Sequence, residues 1–222
     1  MKTRKSSFNG PSLLPIIFSA LFVTSVQIHA ETLVNAIPKN TWHIGGIAGI
    51  ALTFGGDELS RETVDRTFGG SDTETIDTGE LIHFYGGVVA SKKQYQVQAT
   101  IGYHVDQING DNGDTGFCRW PFELLGFYTF EKARIGAGIS HHVNPEYERD
   151  VDGDPRLNAD FDNATGFVIQ ADYLFGARGS SRAAVGIRYT DIEYEVESAN
   201  FTALPGLKID GSNVGINFSY LF

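Results

Sequence analysis

Between Trp42 and Phe222, apolar and polar side chains alternate in eight stretches, and the links between them are long and short by turns. In most of these stretches the large aromatics gather on one face, opposite the charged and small residues. Those observations predict an all-β chain: an eight-stranded antiparallel up-and-down transmembrane β-barrel. A period of two belongs to strands, because a helix would scatter both sets around its surface. An even-stranded meander can close on itself and leave no edge.

Residues 1–30 stand apart from this pattern. Lys2, Arg4 and Lys5 precede the apolar run LLPIIFSALFVTSV, and Ile28-His29-Ala30 has the spacing of a cleavage site, so this segment reads as a secretory signal peptide. Residues 31–222 then form one barrel domain of 192 residues, whose formal charge falls from −10 to −13 on loss of those three basic residues. Such acidity argues against nucleic acid, whose backbone needs positive partners. Cys118, the lone cysteine, has no partner for an internal disulfide. No later segment is apolar for long enough to span a bilayer as a helix.

The first strand places Trp42, Ile44, Ala48, Ile50, Leu52 and Phe54 on one face, with Ile47 out of phase. A long acidic link, 55–79, leads to a second strand, 80–90, which is apolar on both faces and leaves its facing open. After a tight turn at Lys92-Lys93-Gln94, the third strand opposes Tyr95, Val97, Ala99, Ile101, Tyr103 and Val105 to Gln96, Gln98, Thr100 and His104. A loop at 109–116 precedes the fourth, where Trp120, Phe122, Leu124, Tyr128 and Phe130 oppose Arg119 and Glu123. The fifth follows the turn Glu131-Lys132-Ala133 and carries Ile135, Ala137, Ile139, His141 and Val143 together. Beyond a long loop at 145–163, the sixth sets Phe167, Ile169, Ala171, Tyr173 and Phe175 against Gln170 and Asp172. A short link at 176–181 leads to the seventh, Ala183 to Tyr189, whose phase slips at Asp191 as Ile192, Tyr194 and Val196 take over, which predicts a β-bulge. After 197–207 comes the last strand, with Val214, Ile216, Phe218, Tyr220 and Phe222 alternating with small polar residues.

The facing of these sets distinguishes a soluble barrel from a membrane barrel. Eight strands enclose a narrow interior, which small polar residues and a few long charged ones fill and which layers of aromatics would overfill. The aromatic faces therefore point outward to lipid, and Arg119, Glu123, Asp172 and Arg188 point inward, where charges must pair. The expectation is one packed plug of these four, with Asp172 and Arg188 as neighbours. Trp42, Tyr95, Tyr128, Phe130, Tyr173, Phe175, Tyr220 and Phe222 all fall near the tight-turn end, as an interfacial girdle does.

Phe218, Tyr220 and Phe222, at alternating positions with Phe222 terminal, resemble the C-terminal strand signature of bacterial outer-membrane barrels. In size and strand number the chain is similar to the small OmpA/OmpX/OmpW-type superfamily of Gram-negative bacteria. The resemblance implies a multi-pass barrel in the cell outer membrane, both termini periplasmic, with the signature read by the barrel insertion machinery.

Function is then expected in the loops: a structural or interaction role through acidic extracellular loops, with outer-membrane lipid and lipopolysaccharide as partners. Asp111, Asp114, Asp152 and Asp154 lie in oxygen-rich stretches that could hold divalent cations, though neither stretch supplies the full calcium-loop pattern. No motif calls for a cofactor. One alternative is a narrow, porin-like channel for small molecules. Another is a lipid A-modifying hydrolase built on Ser140, His142 and Glu146, which looks slightly like the lipid A deacylase family. That family's outward His-x-Ser pair is missing here, because Asn144 follows His142 at that spacing and His142 points inward by phase.

Overall fold

The computed structural model describes residues 41–65, 71–110, 113–176, 181–201 and 205–222. The proposed signal peptide and Asp111 lie outside them. Thirteen strands run through the described residues: β1 His43–Phe54, β2 Glu58–Asp65, β3 Ser71–Asp77, β4 Leu81–Lys92, β5 Tyr95–Gly110, β6 Gly113–Thr129, β7 Ala133–Val151, β8 Leu157–Phe161, β9 Ala164–Phe175, β10 Arg182–Asp191, β11 Glu193–Ala199, β12 Lys208–Asp210 and β13 Asn213–Leu221. Eight of them close a barrel in the antiparallel order β1-β4-β5-β6-β7-β9-β10-β13, with β13 paired back to β1 from Ile47↔Leu221 to Phe54↔Val214. Closure leaves the barrel wall no edge strand to blunt.

The wall has its apolar side outward. Ile44 is 80% exposed, Phe167 69% and Ile187 64%, whereas the inward Arg119 and Asn217 are fully buried. In water this arrangement would expose a continuous oily belt. In a bilayer it matches side chains to solvent on both sides of the wall. Strand β4, whose facing the sequence leaves open, turns His83, Tyr85 and Val89 inward and Phe84 and Val88 outward. Ile47 is the apolar exception of β1 because it packs inward against Tyr85 and Val89. At the tight-turn rim the girdle rings touch one another, Tyr95 with Tyr128, Tyr128 with Phe130, and Tyr173 with Phe175. The two-residue turn there puts Lys93 at φ 54°.

The opposite end departs from the expected loops. Beyond the level of Phe54, Tyr103, Trp120, Phe167 and Tyr189 the chain stays in strands. β5, β6 and β7 continue past the belt, β8 pairs with β7, β11 with β8 and β12 with β11, and β2 with β3 forms a separate hairpin. In this extension the polarity reverses. Ile76, Ile108, Phe117, Tyr147, Phe161, Ile192, Tyr194 and Val196 point inward and form one apolar core. Glu193, Glu195 and Glu197 point outward.

This reversal corrects the bulge expected at Asp191. Inward positions run without a break through Arg188, Thr190, Ile192, Tyr194 and Val196. The phase holds, and what changes is which face is apolar, since water replaces lipid outside. The extra residue sits further on, at Glu197, between Val196↔Phe161 and Ser198↔Asp160. A second bulge lies between β6 and β7, where Asn144 and Pro145 together oppose Arg119. Asn144 takes φ 47°, a left-handed conformation that asparagine tolerates better than most residues, and its N–H donates to Asn163 Oδ1 at 3.0 Å.

Candidate functional site

The most densely organised chemistry in the molecule is the barrel lumen, built from alternate residues of all eight wall strands. Toward the tight-turn end, Arg134 of β7 donates from Nε to Asp172 Oδ2 of β9 at 2.6 Å, with both side chains fully buried. Gln170 Nε2 and Asn217 Nδ2 also donate to the Asp172 carboxylate, at 3.0 and 2.9 Å. Arg134 Nη1 donates to Gln96 Oε1 at 2.5 Å, and the guanidinium lies 4.2 Å from the centre of the Phe127 ring. The aspartate is thus held by donors from the adjacent strand β7, from its own strand β9 and from β13.

A second pair crosses the lumen. Arg188 on β10 reaches Glu123 on β6, Nη2 to Oε1 at 2.5 Å, with both side chains almost wholly buried. The same carboxylate accepts from Ser140 Oγ at 3.1 Å and from Thr100 Oγ1 at 3.4 Å. The bond from Ser140 continues a directed chain. The Tyr194 hydroxyl lies 2.6 Å from His142 Nδ1. His142 Nε2 is 3.0 Å from Ser140 Oγ. With the serine proton on Glu123, the imidazole donates to Ser140 and accepts from Tyr194.

Above this pair lies Arg119, fully buried and without an ion-paired carboxylate among the described residues. Its Nη2 donates to His104 Nδ1 at 2.8 Å, and its guanidinium stands 4.8 Å from the Phe117 ring. His104 Nε2, which is also 3.1 Å from Arg119 Nη2, faces Thr53 Oγ1 at 2.8 Å and the Glu80 carbonyl at 3.1 Å, and because a carbonyl only accepts, Nε2 carries the proton in that bond. The space left among Thr53, His83, His104, Glu123, His142 and Arg188 is about 10 Å³, room for one water molecule.

The four lumen charges expected from the sequence divide into separate groups rather than one cluster. Asp172 and Arg188 sit on adjacent strands but are one step out of register, since Arg188 pairs with Gln170 and Asp172 with Gly186. Each finds its partner elsewhere. Arg134 escaped the sequence reading because it follows a turn and reads as an exposed turn residue. Counting back by twos from Ser140 would have placed it inside.

Ser140 and His142 share the lumen face and touch each other, whereas Glu146 does not reach them. The bulge at Asn144 and Pro145 shifts the phase of β7, so that Tyr147 faces inward and Glu146 faces out. Ser140 is fully buried, and its proton is directed to Glu123 rather than to the imidazole. A hydrolytic nucleophile also needs an opening for substrate, and Ser140 is fully buried. Asp154 is paired with Arg149 at 2.8 Å, Asp152 is exposed, and Asp114 stands across from Asp150. Among the described residues no group of three or more His, Cys, Asp or Glu side chains is placed to hold a metal ion. Phe218, Tyr220 and Phe222 lie on the outer wall, and Phe222 exchanges backbone hydrogen bonds with Gly46 at 2.7 and 3.0 Å. Cys118 is half-buried at the start of the extension.

Closure, strand number, an oily outer wall and a charge-filled interior define the class: a small transmembrane β-barrel of the kind found in bacterial outer membranes. Among solved structures the chain is similar to Neisserial surface protein A, with 9% identity and a TM-score of 0.45 over 82% of this chain and 97% of that one. It is also similar to the outer membrane protein AlkL, solved in lipid bilayers, with 14% identity and a TM-score of 0.46 over 86% of this chain and 95% of that one. No protein-family model matches the sequence. No curated protein matches it significantly either.

Proposed function

We propose that the protein is an integral outer-membrane barrel with a sealed lumen, whose work is done by its folded extracellular extension. The tight-turn rim, with His43 and Phe222, is the periplasmic end, and the extension stands outside the cell. The observation that carries this reading is the cross-lumen pair Arg188–Glu123, backed by Arg134–Asp172 below it and by the apolar core above it. An eight-stranded interior braced in this way leaves no continuous water path. The alternative of a narrow channel needs such a path, and the hydrolase needs an accessible nucleophile.

The outer surface of the extension supplies the chemistry for a partner. Asp160, Asp162, Asp191, Glu193, Glu195 and Glu197 are all exposed. Glu193, paired with Lys208 at 2.6 Å, and then Glu195 follow the belt residue Tyr189 by four and six positions, about 13 and 20 Å along the wall, which is headgroup height. Acids at that height would repel lipopolysaccharide phosphates unless divalent cations bridge the two. The expected role is therefore a structural or interaction one at the lipopolysaccharide surface, dependent on divalent cations. Two measurements test it. In planar bilayers the purified barrel should give no stable open step, and a reproducible conductance would overturn the sealed lumen. Co-sedimentation with lipopolysaccharide should require Mg²⁺ and fall on chelation. Binding that ignores chelation would overturn the bridging role.

A further inference from the structure

We propose that the turn joining β3 to β4 is a latch on the outer mouth of the lumen, closed at mildly acidic pH and loosened as the pH rises. The turn, Asp77 to Glu80, is held from two sides. From β5, the Asp106 carboxylate accepts the Asp77 N–H at 3.0 Å, and His104 Nε2 donates to the Glu80 carbonyl at 3.1 Å. From the other side, Thr78 Oγ1 binds the Asp210 carbonyl and accepts the Asp57 N–H at 3.0 Å, while Asp210 N–H donates to Asp57 Oδ2 at 2.9 Å. Ile76, just before the turn, is fully buried in the apolar core of the extension. The turn therefore ties the β2–β3 hairpin both to the polar lumen and to the apolar core above it.

Two features mark this tie as one that can open. Leu81, the residue after the turn, has φ 73°, a left-handed conformation that is strained for a residue with a Cβ. The turn also gathers like charges. Asp77 and Asp106 both lie close enough to act on the Glu80 carboxyl, and Asp106 faces Asp77. The other titratable or charged groups packed around them are Asp57 before β2, His83 on β4, His104 on β5, Arg119 on β6 and Asp210 on β12. Of these Arg119 is the cation acting on Asp106. Burial first, then Asp77, pushes the Glu80 carboxyl up to about 7, and burial pushes Asp106 up to about 6.

The sign follows from linkage. A carboxyl whose proton affinity is raised in the closed state stabilises that state fully below its ordinary value near 4.5, and the stabilisation is lost as the pH rises through 6 to 7. Above 7, three anions face one another across a strained turn, and opening relieves both repulsion and strain.

Hydrogen exchange tests this on the full mature barrel in detergent micelles, following the peptide that spans residues 75–82. After correction for intrinsic exchange, protection should fall about tenfold between pH 5.5 and 8, a figure reduced from the full linkage because Glu80 is partly solvated. E80Q and D106N should each flatten this pH response, while peptides from β9 and β10 stay unchanged. Heat-modifiable gel migration confirms that each variant is folded. A response that is flat in the wild type, or that survives in both variants, would overturn the latch.

Discussion

Neutralising Glu123 tests the lumen most directly. In the native barrel its carboxylate accepts Arg188 at 2.5 and 3.4 Å, Ser140 at 3.1 Å and Thr100 at 3.4 Å, in a space that excludes all but about one water. Glu123→Gln keeps the shape and removes the charge, leaving Arg188 buried without a counter-ion and adding to the positive charge of Arg119 close by. Removing one partner of a buried pair costs about 3–5 kcal/mol, which is roughly 200- to 5,000-fold in the folding equilibrium. Asp172→Asn should cost less, about 1–3 kcal/mol, because the amide oxygen still accepts from Arg134 and that guanidinium keeps Gln96 and the Phe127 ring. The double replacement Glu123→Leu with Arg188→Met should recover most of the loss, since apolar residues of similar volume often substitute for a buried pair at little cost. Urea titration of barrels refolded into lipid vesicles, followed by gel migration and tryptophan fluorescence, measures all three. If Glu123→Gln lies within 1 kcal/mol of wild type, water reaches Arg188 and the sealed lumen is refuted.

Three further outcomes follow from the geometry. Asn144→Val places a β-branched residue at φ 47° and should lose about 1–2 kcal/mol in the same titration, whereas Asn144→Gly should be near neutral. Phe117→Ala should remove about 3–5 kcal/mol from the apolar core of the extension. Limited proteolysis should then cut the extension while the wall still migrates as a folded barrel. Deleting Phe222 removes its backbone pairing with Gly46 and the last ring of the girdle, and should lower the yield of inserted barrel in vesicle assays severalfold.

Much of this fold was legible in the sequence because the membrane part obeys one rule. Each wall strand has a lipid face and a lumen face, so period and facing can be read residue by residue from Tyr95 to Val105 or from Val214 to Phe222. The site was legible only as an inventory. Arg188 and Glu123 could be placed inside, but their partnership crosses the lumen between strands that are not neighbours, and no local spacing encodes that distance. The grouping of Glu146 with Ser140 and His142 was out of reach of the linear pattern for a similar reason. Whether Glu146 shares a face with His142 depends on a bulge at Asn144, which the linear pattern does not announce.

The misplaced bulge at Asp191 is the most instructive case, because the pattern there was read correctly and explained wrongly. Apolar residues do change phase after Tyr189. Two causes give that same signature: an inserted residue that turns the strand over, or a change of solvent that turns the polarity over while the strand runs on. The sequence distinguishes them by what occupies the other face. Glu193, Glu195 and Glu197 alternate with Tyr194 and Val196 just as Arg188 and Thr190 alternate with Ile187 and Tyr189. An uninterrupted alternation with its signs exchanged means that lipid has given way to water. Applied to β5, β6 and β7, the same criterion puts the exit from the bilayer where inward polar residues give way to Ile108, Phe117 and Tyr147. The extension above them then has to fold as a water-soluble protein does, around its own apolar core.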